Sequence, residues 1–178
     1  TVASLEQQTK EGEPQKILQQ HFDQTRRLFL YIVCLITEIA RYAEKDSHTR
    51  ASKHLPTYAD LNINTKLAGN ETIWKILEDA SFRQFIKSDR IESLIDTEMV
   101  KKIYITLTET PEYKTYINKA GREKKDEQEI IEFILDKLIL QNETVTSQIE
   151  DLFSNWDDDG EMLIQLIVAY LHKPGSVN

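Results

Sequence analysis

Between Leu18 and Ala43 the chain repeats one step pattern without a break: Leu18, Phe22, Thr25, Phe29, Ile32, Ile36, Ile39 and Ala43 succeed one another by threes and fours. At 3.6 residues per turn this spacing keeps a single face of a helix apolar for about seven turns. Leu28, Leu30, Tyr31, Val33 and Leu35 then widen the stripe well beyond the two-position seam of a coiled coil. A helix wrapped by other parts of its own chain is favoured over a coiled coil, which stays as the alternative. The rest of the chain must therefore supply apolar faces to cover it.

The remaining sequence has the means to do so. The first helix is expected to start at Pro14, a residue suited to the first helical position, and to end between Glu44 and Ser47. Pro56 disfavours helix at Leu55, Thr57 can cap a short turn over 58–61, and Asn62 and Asn64 suit turns. Asn70 then caps a helix over 71–80, with Ile73, Trp74 and Leu77 facing inward. A shorter helix near 82–87 adds Phe82, Phe85 and Ile86. Asp96 or Thr97 caps the next, with Val100, Ile103, Tyr104 and Leu107 inward. Thr110-Pro111 opens a short helix carrying Tyr113, Tyr116 and Ile117. After a charged link from Gly121, Asp126 is expected to cap a helix to Gln141, built on Ile130, Ile131, Ile134, Leu135, Leu138 and Ile139. Asn142 caps another, with Val145, Ile149 and Leu152. A closing helix holds Met162, Leu163, Leu166, Ile167, Tyr170 and Leu171 and ends at Lys173-Pro174-Gly175. Polar cap, amphipathic helix and short link repeat throughout, so the expected fold class is all-α, an antiparallel helical bundle. The expected organisation is a tail over 1–13, one helical domain over 14–173 and a tail over 174–178.

Composition narrows the function classes. The chain has 178 residues, 40% of them apolar, enough for one domain with a real core. No run reaches the roughly 18 apolar residues that a membrane span requires, so no membrane role is expected. Cys34 has no cysteine to pair with in this sequence and lies inside the most apolar run, which suits a buried, inert thiol over a reactive one. The opening residues lack the basic start and apolar middle of a secretory signal, so the expected location is cytoplasmic. From Arg122 to Glu161 thirteen Asp and Glu face four Lys and Arg, a net of −9 in a chain of net −8. Phosphate backbones need cations, so this half is a poor surface for RNA and no DNA binding is expected. Most of these carboxylates read as a solvated helix face, and any nucleic acid is expected elsewhere.

Chemistry-bearing patterns are sparse. Five scattered glycines build no phosphate loop, and His21, His48, His54 and His172 are isolated from one another and from Cys34. No catalytic residues, metal or cofactor are expected. Asn155-Trp156-Asp157-Asp158-Asp159-Gly160 imitates the start of a calcium loop, with Asp157, Asp159 and Gly160 at the third, fifth and sixth positions. The twelfth position, where a bidentate Glu belongs, is Leu166. The simpler expectation is that these carboxylates precede a helix, interact with its positive end and cap it, with Trp156 packed in the core beside them.

Four stretches, residues 22–44, 54–70, 98–117 and 126–171, carry a resemblance. They include Leu55-Pro56-Thr57 and Asp60-Leu61-Asn62, the Tyr113-Lys114-Thr115-Tyr116 helix, Asn142-Glu143, and Asn155-Trp156-Asp157-Asp158-Asp159, in that order. Over about residues 15–172 the chain resembles the N-terminal and middle part of a NusB family protein, in the long form found in Bacteroidetes-type bacteria. No one motif is diagnostic; their order carries the resemblance. It implies an all-helical fold, no catalysis, and a role in transcription antitermination. The implied partners are a boxA-like RNA and a NusE-type small-subunit ribosomal protein, with a homodimer as a further possibility. The family's arginine-rich first helix, which contacts RNA, has no counterpart in the opening Thr1-Val2-Ala3-Ser4 or in the mostly acidic and neutral residues after it. Its C-terminal segments are also without counterpart, so the expectation is a fragment. The RNA contact residues are left unassigned. Arg26-Arg27 is the basic pair nearest that region, and it serves equally well as a pair of surface solubilisers beside a buried helix. A helical protein-interaction module with an acidic face and no direct RNA contact is the alternative.

Overall fold

The computed structural model describes the backbone of residues 2–61 and 64–173, and side chains from residue 23 onward apart from those at 59 and 159. The described residues form helices and no strand. The helices are α1 (Val2–Ala51), α2 (Tyr58–Leu61), α3 (Glu71–Glu78), α4 (Ala80–Ser88), α5 (Thr97–Thr108), α6 (Pro111–Asn118), α7 (Lys124–Phe133, continued by a π-helical segment Ile134–Leu140), α8 (Glu143–Leu152) and α9 (Trp156–His172). Two 3-10 turns, Lys66–Gly69 and Ile91–Leu94, complete them.

Helix α1 is the axle. Leu28, Tyr31, Ile32, Val33, Leu35, Ile36, Ile39, Ala40 and Ala43 are wholly buried, and α2, α4, α5, α9 and both 3-10 turns pack on it. Its breadth of apolar surface leaves no face for a second long helix, so short elements close around it. Two boundary expectations are corrected. The described helix runs from Val2, so residues 2–13, expected as part of a tail, are its first turns. Ala3, Leu5, Glu6, Gln7 and Gln8 are favourable helix formers, and they carry it across the one bond that Pro14 removes. It also runs past Ser47 to Ala51, where Arg50 bonds Asp46 one turn back at 3.0 Å. The tail over 174–178, and the side chains of Leu18, His21, Phe22 and Asn62, lie outside the described residues.

The caps match the sequence pattern closely. Asn70 Oδ1 accepts the N–H groups of Thr72 and Ile73 at 2.9 and 3.4 Å, and Asp96, Thr110 and Asn142 cap α5, α6 and α8 in the same way. Asp126 is not a cap: α7 starts at Lys124, and Asp126 sits inside its first turn, 2.6 Å from Lys119 Nζ.

The π segment has a readable cause. Ile130, Ile131, Ile134, Leu135, Leu138 and Ile139 repeat every four residues and are all buried. An unbroken α-helix would rotate such a pattern by about 40° every four residues. Under-winding holds the apolar pairs against the core. Trp74 is a further correction. Ile73 and Ile76 centre the inward face of α3, and Trp74, one residue round the helix, is 54% exposed.

Candidate functional site

The connector between α1 and α3 is held at two places, by different chemistry. Its downstream half is fastened across the molecule. The Lys66 N–H bonds Asn64 Oδ1 at 2.8 Å, and Lys66 Nζ donates to the carbonyls of Tyr116 and Lys119, both at 2.8 Å, while lying 4.6 Å from the centre of the Tyr116 ring. Asn64 Nδ2 reaches the Ile117 carbonyl at 3.4 Å. Asn70 spends its remaining donors on Tyr116 Oη at 3.2 Å and the Glu127 carbonyl at 3.0 Å.

At the centre lies Glu127, 1% exposed. One carboxylate oxygen accepts the Tyr116 hydroxyl at 2.8 Å, and the other accepts the Glu71 N–H at 2.6 Å, at the start of α3. Arg122 Nη1 bonds both oxygens at 3.4 and 3.2 Å, and its Nη2 donates to the Lys66 carbonyl at 3.1 Å. Gly121 takes a left-handed φ of +80° immediately before Arg122, and a Cβ on Gly69 would stand 2.9 Å from Arg122 Nη2. Both glycines let the guanidinium lie where it does. Burial first, and the Glu127 carboxylate next, push the Tyr116 hydroxyl well above the usual phenol range. The cluster is a structural lock whose members are bonded to one another.

The upstream half differs. Thr57 and Asp60 cap α2 reciprocally, the Thr57 N–H donating to Asp60 Oδ2 at 2.9 Å and the Asp60 N–H to Thr57 Oγ1 at 3.1 Å. Lys53 Nζ bonds Asp60 Oδ1 at 3.2 Å, and Arg50 stands 3.9 Å from it. The Thr57 N–H, outweighing burial and helped by Lys53, holds the Asp60 carboxyl below its usual range. Asp60 is buried, yet the apolar side chains around it turn outward: Leu55 is 83%, Tyr58 84% and Leu61 59% exposed.

The other sequence candidates resolve separately. Arg26 is tied to the end of α4, its Nε and Nη2 bonding the two Asp89 carboxylate oxygens at 3.2 Å each, with its guanidinium 4.7 Å from the centre of the Phe85 ring. It brings α1 and α4 together. Arg27 is half-buried. The acidic turn is corrected: α9 already begins at Trp156, so Asp157, Asp158 and Asp159 form its first turn and none of them precedes it as a cap. Asn155 occupies the cap position, but its Nδ2 donates to Thr25 Oγ1 at 3.3 Å on α1. Trp156 is half-buried and packs against the edge of the core, its ring 3.7 Å from where a Gly160 Cβ would stand. Among the described residues, no group of His, Cys, Asp and Glu is placed to hold a metal ion. His48 and His54 are exposed on the surface, and His172 contacts Glu132. Cys34 is buried, and burial pushes its thiol up to about 12.

Two open grooves flank α7. One of about 490 Å³ lies against α6, between Pro111, Thr115, Tyr116 and Phe133. One of about 410 Å³ lies against α9, lined by Leu135, Leu140, Ile164 and Val168 together with Glu129, Glu132, Asp136 and Lys137. No described helix is long and apolar enough to cross a membrane. Comparison with known protein families, with curated proteins and with solved structures finds no match to this chain.

Sequence reasoning misses Glu127, because one more carboxylate in an acidic run carries no mark of burial. It also misses the outward turn of Leu55, Tyr58 and Leu61. The signal for that is the proline and the brevity of α2, which has too few residues to bury a face of its own.

Proposed function

We propose that this chain is a non-enzymatic, NusB-like binding scaffold of transcription antitermination, whose partners are a boxA-like RNA and a NusE-type small-subunit ribosomal protein. The observation that carries this reading joins sequence to geometry. Three of the four resembling stretches meet at one buried lock: Asn70 from the second bonds across the molecule to Tyr116 from the third and Glu127 from the fourth, which also bond each other. A shared order of motifs then has a physical reason, since the motifs depend on one another for their hydrogen bonds. The cytoplasmic location is part of the same reading.

A second reading, a helical interaction module that never touches RNA, is favoured by the acidic bias of the α7–α9 groove, which sets three carboxylates against Lys137. Its three carboxylates lie in the half of net −9 and fit a basic protein partner better than a phosphate backbone. Fluorescence anisotropy with a labelled boxA-like RNA, across a salt series and with or without the small-subunit protein, separates the two. The scaffold reading expects RNA binding that weakens steeply with salt and strengthens when the protein partner is added. Absence of RNA binding at low salt under both conditions sinks it in favour of the module.

A further inference from the structure

A scaffold for RNA needs a phosphate-binding surface, and the acidic half of the chain does not supply one. We propose that the outward face of α4, with Arg83, Lys87 and Arg90, is that surface and binds the sugar-phosphate backbone of single-stranded RNA, a step that rests on the scaffold reading. Arg26 does not serve, because it is spent on Asp89, holding both carboxylate oxygens at 3.2 Å. That bond has a second effect. Asp89 is the single carboxylate between Ala80 and Ile91, and in the grip of Arg26 its side chain is only 14% exposed. The three cations of the same stretch are left without a carboxylate of their own. Arg83, Lys87 and Arg90 are exposed, and among the described residues none of their side chains has an ion pair or hydrogen bond. By contrast, Arg50, Lys53, Lys75, Lys119 and Arg122 each hold a carboxylate at 3.2 Å or less.

Arg83 and Lys87 stand one helical turn apart, about 6 Å along the axis, and Arg90 follows three residues later, just past the end of α4. A row of separated cations follows the phosphates of a strand. Between them the exposed face carries Gln84 and Ser88, polar side chains that suit phosphate and sugar oxygens. An acidic protein partner would instead need large apolar anchors there. The two aromatic rings of α4 are turned away: Phe82 is 6% exposed, and Phe85 lies under the Arg26 guanidinium. Base stacking is therefore not part of the contact, and this face binds with little regard to sequence. Arg83 and Lys87 also edge an open groove between α1 and α4, where Arg41, Glu38 and Glu92 stand as well. Arg41 faces Glu38 at 3.8 Å, so those two offset each other. Glu92 is exposed with no ion pair among the described residues, and it opposes phosphate at that edge.

The test uses the full chain with a fluorescein-labelled boxA-like RNA and a scrambled RNA of equal length, read by anisotropy across a salt series. The combined variant Arg83→Gln, Lys87→Gln, Arg90→Gln should weaken both RNAs by about tenfold or more at low salt. It should also flatten the slope of log affinity against log salt by about 2, at about 0.7 for each lost phosphate contact. The three side chains are exposed and unpaired, so circular dichroism and melting should match the parent. The variant Lys101→Gln, Lys102→Gln, Lys114→Gln removes as much exposed, unpaired charge from α5 and α6, and should leave the slope unchanged. Glu92→Gln should strengthen binding of both RNAs. RNA binding that survives the first triple variant, or falls equally in the second, overturns the proposal and leaves the scaffold reading standing. So does loss of an oligo-glutamate peptide from the first triple variant with RNA still bound, which assigns the face to an acidic protein. No RNA binding by the parent, with or without the small-subunit protein, sinks the scaffold reading and this proposal with it.

Discussion

The two halves of one connector solve opposite problems. Downstream, from Asn64 to Asn70, polar side chains turn inward and bond to α6 and α7 more than forty residues away. Upstream, from Lys53 to Leu61, Thr57 and Asp60 bond each other and Asp60 bonds Lys53 and the end of α1, while Leu55, Tyr58 and Leu61 stand exposed. The first half is unusual in sequence because geometry demands it, since Asn70 uses both of its amide donors and its oxygen at once. The second is unusual because a local cap holds a short turn whose large apolar side chains stand exposed. Unusual spelling in a sequence therefore has at least two physical meanings, and only the destination of each hydrogen bond tells them apart.

The sharpest way to break this contrast is to empty the centre of the lock. Glu127→Ala leaves the Tyr116 hydroxyl and the Glu71 N–H without their acceptor and Arg122 without its anion, and should cost about 3 kcal/mol or more. Urea denaturation monitored by far-UV circular dichroism reads this directly. A loss below about 1 kcal/mol means that the downstream half is held by packing rather than by its polar bonds. Next in size is Asn70→Ala. It removes the cap of α3, worth about 1–2 kcal/mol, and two further donors. Because Asn70 and Glu127 share a network, the double variant should destabilise by less than the sum of the singles. Simple additivity would show that they act independently.

Much of the architecture is readable from local pattern. Asn70, Asp96, Thr110 and Asn142 each stand as a short polar side chain before an apolar run, and each caps a helix. Such signals work because a cap concerns only the next three residues. The burial of α1 is equally plain, since no helix with so broad an apolar surface can face water. What fails depends on non-local facts. Trp74 reads as inward because tryptophan is large and apolar, but which side of α3 faces the core is decided by Ile73 and Ile76 against distant neighbours. Glu127 resembles any solvated carboxylate until Tyr116 and Arg122 close over it. The acidic stretch at Asp157 reads as a loop because aspartate favours turns, yet three carboxylates also suit the positive end of a helix they belong to.

Acid should loosen the upstream half before it reaches the cap of α3. The Asp60 carboxyl is held below its usual range chiefly by the Thr57 N–H, so its contribution is complete above the ordinary carboxylate range and is lost as pH falls through the lowered value. The Asn70 amide that caps α3 does not titrate. Hydrogen exchange, expressed as protection factors between pH 6 and pH 3, should therefore show the Thr57 and Asp60 amides losing protection while the Thr72 amide keeps its own. Asp60→Asn should reproduce the loosened pattern at neutral pH, because the amide pairs more weakly with Lys53 and Arg50. Matched losses at Thr57 and Thr72 would mean that the connector opens as one unit.

The smallest expected effect bears on the contrast most directly. Tyr58 is 84% exposed, so Tyr58→Ser removes little buried surface and should change unfolding free energy by no more than about 0.5 kcal/mol. Trimming Tyr116 to Phe, which keeps the ring and deletes one hydroxyl, should cost more, about 1–2 kcal/mol, because Glu127 and Asn70 both lose a buried partner. The two tyrosines thus rank opposite to the amount of side chain removed. Equilibrium denaturation of both variants decides the matter. If Tyr58→Ser proves the costlier change, its ring is covered in solution, and the upstream half is packing surface rather than display.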